Sequence, residues 1–139
     1  MSDKVWLGVD FGSKWVGVAV SASGTTMTFP LDTIDAKPEI KLLEGLLKLA
    51  KSHSAVGFVV GLPINMNGSE GPAAKLCRDF AKRLGDFSEM PAELFDERLS
   101  SWDAEGMLIE GGMKPHDRKK QIHAVSAKVI LDGFIQAQN

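Results

Sequence analysis

Asp10 is the first residue of the chain whose type and position could do chemistry. It closes a short apolar run, residues 5–9, and precedes a glycine-containing turn, residues 11–14. A second, valine-rich run follows at residues 15–20, so the two runs predict a β-hairpin. A carboxylate at the end of a buried strand needs a partner for its charge, and a metal ion, a lysine or a phosphate-bearing ligand would each serve. The alternative is that Asp10 only starts the turn.

Glu97 is the second candidate. It follows two apolar residues and Asp96 at the end of another predicted strand. In a parallel α/β arrangement the carboxyl ends of the strands meet at one edge of the sheet, so Asp10 and Glu97 could converge on one metal ion. Carboxylate oxygens suit Mg²⁺ or Mn²⁺, and two such ions can activate a water and stabilise the departing oxyanion of a phosphodiester. The alternative is that residues 96–98 form a strand-end ion pair with a capping role.

Two further segments could bind phosphate. The loop 65–70, ahead of a predicted helix, offers backbone N–H groups and the small polar side chains of Asn65, Asn67 and Ser69. Its alternative interpretation is an ordinary capped turn. The dense basic segment 114–120 is typical of a solvated face, but beside a carboxylate site it would anchor a nucleic-acid backbone. Its basic residues are Lys114, His116, Arg118, Lys119 and Lys120.

The elements that must position these residues begin with a third strand, predicted over residues 24–34. Pro30 places this strand at an edge or a bend. A helix whose first turn contains Pro38 and Glu39 follows. The strand face is expected to carry Met27, Phe29 and Leu31, and the helix stripe Ile40, Leu43, Leu46, Leu47 and Ala50.

The second half of the chain alternates strands and helices. A buried strand at residues 55–61 is expected to run parallel to the hairpin sheet, because a helix separates them. A loop at 62–71, a helix from Pro72 and a short strand at 93–95 come next. A further helix, capped by Ser100 or Ser101, ends at residues 111–112, and a basic segment then leads into a closing helix. The expected stripes are Ala73, Leu76, Cys77, Phe80 and Leu84 for the second helix, and Ile122, Val125, Val129 and Phe134 for the closing one.

Length and composition predict one globular domain over residues 1–139. The chain has 139 residues, 44% of them apolar, and a net charge of −2, so any affinity for nucleic acid must come from a local patch. No apolar run approaches a membrane span, and no signal peptide precedes the first strand. The single cysteine, Cys77, is expected in the core of a cytoplasmic protein. One cysteine and three histidines exclude the usual zinc sites.

Four segments, in order, resemble the YqgF (RuvX) family of pre-16S rRNA nucleases, also described as Holliday junction resolvase-like. They are GVDFGSKWVGVAVS, VVGLPINMNGSEGP, FDERLSSWDAE and SAKVIL. The resemblance implies a ribonuclease H-like α/β fold, in which a mixed five-stranded sheet joins a three-strand antiparallel meander to two parallel strands, with flanking helices. It also implies a nuclease of the bacterial cytoplasm that hydrolyses phosphodiester bonds with Mg²⁺ or Mn²⁺.

The resemblance assigns catalytic and metal-binding roles to Asp10 and Glu97, and a structural role to Asp96. The family's third acid falls on His123, where this chain departs from the pattern. A neutral imidazole can ligate a divalent ion or relay a proton, so His123 is the third expected catalytic residue. The alternative is a helix-face histidine near bound phosphate. The expected nucleic-acid-binding residues are Lys14, Asn65, Asn67, Ser69, Arg98, Arg118, Lys119 and Lys120.

By this resemblance we expect an endonuclease that processes the 5′ end of precursor 16S ribosomal RNA. One alternative is resolution of branched DNA, and another is a structured-RNA binding module whose catalysis is weakened by His123. A third is an ATP-dependent phosphotransferase, which shares the D-x-G motif but needs a second, duplicated half that this chain lacks. The expected partner is nucleic acid rather than a membrane, bound by a monomer or a homodimer.

Overall fold

A computed structural model describes the backbone of residues 3–99 and 115–138, with side chains for residues 3–98 and 121–138. The strands of this part of the chain are β1 (Val5–Phe11), β2 (Trp15–Ser21), β3 (Thr28–Asp35), β4 (Ala55–Leu62) and β5 (Ala92–Asp96). Its helices are α1 (Glu39–Ser52), α2 (Pro72–Ser88) and α3 (Pro115–Gln138), with a 3₁₀ turn at Glu97–Leu99. The helix predicted between Ser100 and residue 112 lies outside the described residues.

The strands form one sheet in the order β3-β2-β1-β4-β5. Strand β2 pairs antiparallel with both β1 and β3, whereas β4 pairs parallel with both β1 and β5. The predicted mixed sheet is therefore confirmed. Strands β1, β3, β4 and β5 run in the same direction, so the residues Phe11, Asp35, Leu62 and Asp96 that end them lie along one edge, here called the carboxyl edge.

Helices cover both faces of the sheet. Helices α1 and α2 pack on one face, where Phe80 and Leu84 join a cluster of alternate residues from β1, β2 and β4 that includes Leu7 and Phe58. Helix α3 packs on the other face through a smaller cluster. The alternation of buried side chains along each strand explains why both faces are apolar, and why the strands appear in the sequence as nearly continuous apolar runs. None of the described helices is both long and apolar enough to cross a membrane.

The third strand is shorter than predicted. It begins at Thr28 rather than residue 24, because residues 22–27 form a turn closed by the Ala22 N–H donating to the Met27 carbonyl. Met27 and Phe29, predicted to share one face of this strand with Leu31, are 58% and 46% exposed, so this face is largely open to solvent. The edge position expected from Pro30 is confirmed, and the pairing register with β2 shifts beside this residue.

The buried faces predicted for α1 and α2 are partly wrong, because some of the residues assigned to them are exposed. Ile40 and Leu76, predicted to face the core, are 52% and 59% exposed, whereas Leu42 and Ala74 are fully buried. A change of one position turns a side chain by about 100° around a helix, so apolar residues on neighbouring positions leave the choice of face open. The predicted burial of Cys77, Phe80 and Leu84 is confirmed, as is that of Val125, Val129 and Phe134 in α3.

Candidate active site

Asp10 lies inside strand β1, not in the turn that follows it. The strand continues to Phe11, and Asp10 pairs with Gly17 across the antiparallel ladder. The Phe11 ring stacks on Phe80 of α2 with centroids 4.1 Å apart, which fixes this strand end against the helix layer. The interpretation that Asp10 only starts the turn is therefore wrong, and its carboxylate belongs to a rigid strand at the carboxyl edge.

Glu97 turns back from the end of β5 toward the same edge. Strand β5 ends at Asp96, and the 3₁₀ turn brings a Glu97 carboxylate oxygen to 2.6 Å from the point that a Cβ on Gly61 would occupy. Gly61 lies in β4, between β1 and β5 in the sheet. A side chain at position 61 would therefore occupy the space of this carboxylate, and glycine leaves that space to Glu97.

Burial, and then the negative charges of Asp10 and Asp96, together raise the pKa of Glu97 from its ordinary 4.5 to about 7. Val9 of β1 pairs with Val60 of β4, so Asp10 and Gly61 follow at the same level on adjacent strands, and the Glu97 carboxylate lies against Gly61. The convergence of Asp10 and Glu97 expected from strand order is therefore present in the structure. Their catalytic and metal-binding roles stay predictions.

His123 contacts Asp10 from the other layer. Its Nδ1 lies 3.3 Å from Oδ2 of Asp10, and the two side chains are 28% and 22% exposed. The Trp15 ring meets the imidazole edge-on, with centroids 5.9 Å apart. The structure thus brings together all three residues expected to be catalytic, and places the imidazole where it can orient the Asp10 carboxylate.

Gly17 allows this contact. A Cβ at position 17 would lie 1.8 Å from the backbone oxygen of His123, far closer than atoms can approach. Helix α3 therefore rests its backbone directly on β2 at this point, and any larger residue would lift His123 away from Asp10. The functional importance of Gly17 was missed because a glycine in a valine-rich strand gives no signal of the helix that will cross it.

Asp96 and Arg98 form the strand-end ion pair that was the alternative interpretation of this segment. The Arg98 backbone N–H and guanidinium both donate to the Asp96 carboxylate, at 2.9 Å and at 2.8–3.2 Å. These hydrogen bonds hold the pKa of Asp96 below its usual value. The capping interpretation is thus right for Asp96, which leaves Glu97 as the acid that faces Asp10. Nucleic-acid binding by Arg98 stays a prediction.

The loop predicted to cradle phosphate is a self-contained turn. Asn65 donates to the Ser69 hydroxyl at 3.0 Å, and Ser69 donates from its hydroxyl and its backbone to Asn67 Oδ1 at 2.6 and 3.0 Å. The Glu70 carboxylate binds the Arg78 guanidinium through two hydrogen bonds, which ties the loop to α2. The expected phosphate-binding side chains are therefore engaged with one another, and their role in binding nucleic acid stays a prediction.

The predicted basic residues occupy two places. Lys14 is exposed on the β1–β2 turn, with its Nζ 4.7 Å above the Trp15 ring. Arg118, Lys119 and Lys120 lie in the first turns of α3, where the backbone alone is described. Lys114 lies outside the described residues. Residues 118–120 precede His123 by about one turn, so this end of the helix starts beside the candidate site.

Cys77 is a second residue that the sequence did not connect with the site. Burial, and then the charges of Glu97 and Asp10, together raise its pKa to about 11. This thiol of α2 therefore lies beneath the two carboxylates and remains protonated at neutral pH. Its position on an apolar helix stripe indicated burial but not proximity to acids.

A divalent cation fits the excess negative charge of this arrangement. Among residues 3–98 and 121–138 no group of three or more histidine, cysteine, aspartate and glutamate side chains is arranged to hold a metal ion. Asp10 and Glu97 would supply two carboxylates, and Mg²⁺ is commonly bound through one or two carboxylates, with water and substrate phosphate completing its shell. Burial first, and then the charges of Asp10 and Asp96, raise the pKa of Glu97, and a bound cation would favour its charged form against both effects.

The family model RuvX, described as "Holliday junction resolvase", matches residues 4–137. A "Putative pre-16S rRNA nuclease" of Chloroflexus aurantiacus is 38% identical over 138 residues, which cover 99% of this chain and 90% of that protein. A protein of the same name from Anaeromyxobacter dehalogenans is 40% identical over 129 residues, covering 93% of this chain and 94% of the relative.

Two solved structures resemble the whole fold. Thermus thermophilus RuvC in complex with a Holliday junction substrate has a TM-score of 0.60 at 13% identity, covering 97% of this chain and 95% of that one. The fowlpox virus resolvase in complex with Holliday junction DNA has a TM-score of 0.54 at 12% identity, covering 96% and 98%. At these identities the likeness shows the fold alone, which is that of the RuvC-like, ribonuclease H-like resolvases.

Proposed function

The chain belongs to the RuvX family, and we propose that it is a divalent-metal-dependent endonuclease that processes the 5′ end of precursor 16S ribosomal RNA. The names of its relatives in Chloroflexus and Anaeromyxobacter support the substrate. We further propose that residues 1–139 form one domain that acts in the cytoplasm as a monomer or homodimer.

One observation carries the proposal. Two carboxylates from separate strands, Asp10 and Glu97, converge at the carboxyl edge so closely that the charge of one raises the pKa of the other. Like charges are held together at a cost in stability, and structures retain such pairs where function uses them. Phosphodiester hydrolysis is a function that uses them, because its transition state needs cationic neutralisation at the phosphate and proton transfer at the attacking and departing oxygens.

The chain's own residues can perform the positioning and the exchange of a proton for a cation. His123 contacts Asp10 and holds its carboxylate in one orientation. Glu97, with a pKa of about 7 in the metal-free protein, can give up its proton near neutral pH in exchange for a cation. A divalent ion held by Asp10 and Glu97 would supply Lewis-acid stabilisation of the phosphoryl oxygens. We expect Lys14, Arg98 and the basic residues at the start of α3 to neutralise flanking phosphates.

Resolution of branched DNA is the second candidate, and the description of the matching family model favours it. The discriminating experiment incubates purified protein with precursor 16S RNA and with a four-way DNA junction, each with Mg²⁺, with Mn²⁺ and without metal. We expect metal-dependent cleavage of the RNA, none of it requiring ATP, and no cleavage by Asp10→Asn or Glu97→Gln.

The outcomes of this experiment distinguish the candidate functions. Cleavage of the junction alone would establish the second candidate. RNA binding without cleavage would indicate a module that has lost catalysis. Cleavage by Asp10→Asn or Glu97→Gln at the wild-type rate would show that the two carboxylates are not the catalytic pair.

A further inference from the structure

A polar pocket of about 280 Å³ lies at the carboxyl edge on the flank of the sheet away from Glu97. It is lined by Ser13, Lys14, Asp35 and Lys37. The fold brings these residues together because Trp15 pairs with Asp35, and the Ala36 N–H donates to the Lys14 carbonyl at 2.9 Å. The β1–β2 turn and the β3–α1 connection therefore run side by side, and their polar side chains share one recess.

The charges in this pocket are not paired with any other side chain in the described part of the chain. Lys14 has its ammonium above the Trp15 ring. Among the side chains described in residues 3–98 and 121–138, neither Asp35 nor Lys37 forms a hydrogen bond or an ion pair. Two basic side chains and one carboxylate side chain thus line the same recess. A ligand that matches this pocket carries an anionic group and, close to it, a hydroxyl that can donate to the carboxylate.

The pocket is connected to the candidate active site through a short series of side chains. The Lys14 ammonium lies over Trp15, the Trp15 ring contacts His123, and His123 Nδ1 lies 3.3 Å from Asp10. Glu97 and the 62–71 loop lie on the opposite flank, beside β4 and β5. A bound nucleic-acid strand with one phosphate at Asp10 would therefore reach the pocket within a few nucleotides.

We propose that this pocket is a ribonucleotide subsite, in which Lys14 and Lys37 bind a backbone phosphate and Asp35 accepts a hydrogen bond from the 2′-hydroxyl. The inference rests on the proposed function and deepens it, since it assigns the substrate class to RNA rather than DNA. A deoxyribonucleotide brings its phosphate to the same pocket but leaves the Asp35 carboxylate without a donor. The 2′-hydroxyl is the group by which a protein distinguishes the two nucleic acids at a given site.

The expected magnitudes follow from the charges. A hydrogen bond to a charged group contributes enough for one 2′-deoxy substitution at the subsite to weaken binding about 10-fold. Asp35→Ala removes the acceptor and also a repulsive charge, so RNA binding should weaken, DNA binding should strengthen, and the 10-fold preference should disappear. Lys37→Ala should lower the salt dependence of binding by roughly 0.7 in the slope of log K against log salt, the contribution of one single-strand phosphate.

The experiment measures binding by fluorescence anisotropy, using the full chain carrying Asp10→Asn so that no cleavage occurs. The probes are a labelled stem–loop RNA with a single-stranded flank, its all-DNA counterpart, and a series of RNAs with one 2′-deoxy nucleotide at each flank position. Asp32→Ala is the matched control, because Asp32 is an exposed aspartate of the same strand whose Oδ1 is occupied by the Thr33 N–H at 2.7 Å. Asp35→Asn keeps the side-chain shape if Asp35→Ala fails to fold, and should reduce the preference to a smaller value.

The inference is supported if one flank position shows the deoxy penalty, and if Asp35→Ala abolishes it while Asp32→Ala does not. It is overturned if no position shows a penalty, or if the penalty persists in Asp35→Ala. Binding does not depend on catalysis, so the two proposals can fail separately. If one 2′-deoxy substitution weakens binding but the protein never cleaves RNA, the proposed nuclease function is refuted and the proposed subsite is supported. Cleavage of RNA by a protein with no such penalty would do the reverse.

Discussion

Glu97→Gln should stabilise the metal-free protein at alkaline pH while abolishing its activity. In the folded state the pKa of Glu97 is raised from 4.5 to about 7 by burial and by the charges of Asp10 and Asp96. The folded state therefore holds a proton that the unfolded chain releases between these two values. Stability declines across this window as the pH rises, and the loss is complete above pH 7. Glutamine keeps the shape of the side chain but removes the charge, so the variant should not show this decline.

The magnitude has a ceiling set by the pKa. A rise from 4.5 to about 7 corresponds to about 3.5 kcal/mol at ~1.4 kcal/mol for each pKa unit. The Glu97 side chain is only half-buried, so solvent screening lowers this figure, and we expect about 1–2 kcal/mol. Below pH 4.5 the glutamate is protonated in both states, and the two proteins should have nearly equal stability.

The assay is urea denaturation of wild type and Glu97→Gln at pH 4.5 and pH 8, in EDTA and then in excess Mg²⁺ or Mn²⁺. Glu93→Gln, which changes an exposed glutamate of β5, the strand that precedes Glu97, controls for the loss of one negative charge. Divalent metal should stabilise wild type at pH 8 more than Glu97→Gln, because a cation binds the folded site and relieves the repulsion. The reasoning fails if Glu97→Gln is no more stable than wild type at pH 8, or if the difference between the two proteins is the same at both pH values.

Three further predictions address the rest of the site. Gly17→Ala should destabilise the protein by about 1–3 kcal/mol in urea denaturation, because its Cβ would meet the His123 backbone oxygen at 1.8 Å. Gly45→Ala is the control: its Cβ would lie 3.6 Å from its nearest neighbour, so this change should be neutral or stabilising. His123→Asp should lower the melting temperature in EDTA, because it places a further carboxylate beside Asp10. It should also raise the rate of cleavage in Mg²⁺ relative to that in Mn²⁺. An unchanged metal preference would show that His123 takes no part in metal binding or catalysis. Lys119→Ala with Lys120→Ala should weaken RNA binding alike for unrelated sequences and reduce its salt slope by roughly 1.5, and an unchanged slope would return residues 114–120 to a solvated face.

The strands and their order could be predicted from the sequence because burial on both faces leaves a plain signal, a continuous apolar run closed by a turn. Residues 5–9 and 55–61 show this signal, and both belong to central strands. Strand β3 was less well predicted, because an edge strand with an exposed outer side has mixed burial, and Phe29 in such a strand does not need to face the core. The helix stripes of α1 and α2 were ambiguous for the related reason that apolar residues occupy adjacent positions.

The candidate site was predicted as a set of residues but not as a geometry. Strand ends indicated Asp10 and Glu97, and the family resemblance indicated His123, whose spacing of 113 positions from Asp10 carries no local signal. The role of the glycines beside these side chains could not be predicted, because it depends on which atoms of other helices and strands pack against them in the fold. Gly17 receives the backbone of α3, and Gly61 receives the carboxylate of Glu97.

The distribution of charge at the carboxyl edge explains why a two-carboxylate site can persist in a stable fold. Three acids gather there, but Asp96 is neutralised by Arg98 through backbone and side-chain hydrogen bonds. Asp10 has His123 at 3.3 Å, and Glu97 relieves the remaining repulsion by holding a proton near neutral pH. Each acid thus has a different means of tolerating the others. Of the three groups that neutralise these acids, the proton on Glu97 is the easiest to displace. A cation would therefore bind in exchange for this proton, and the pH dependence of metal binding should follow the titration of Glu97.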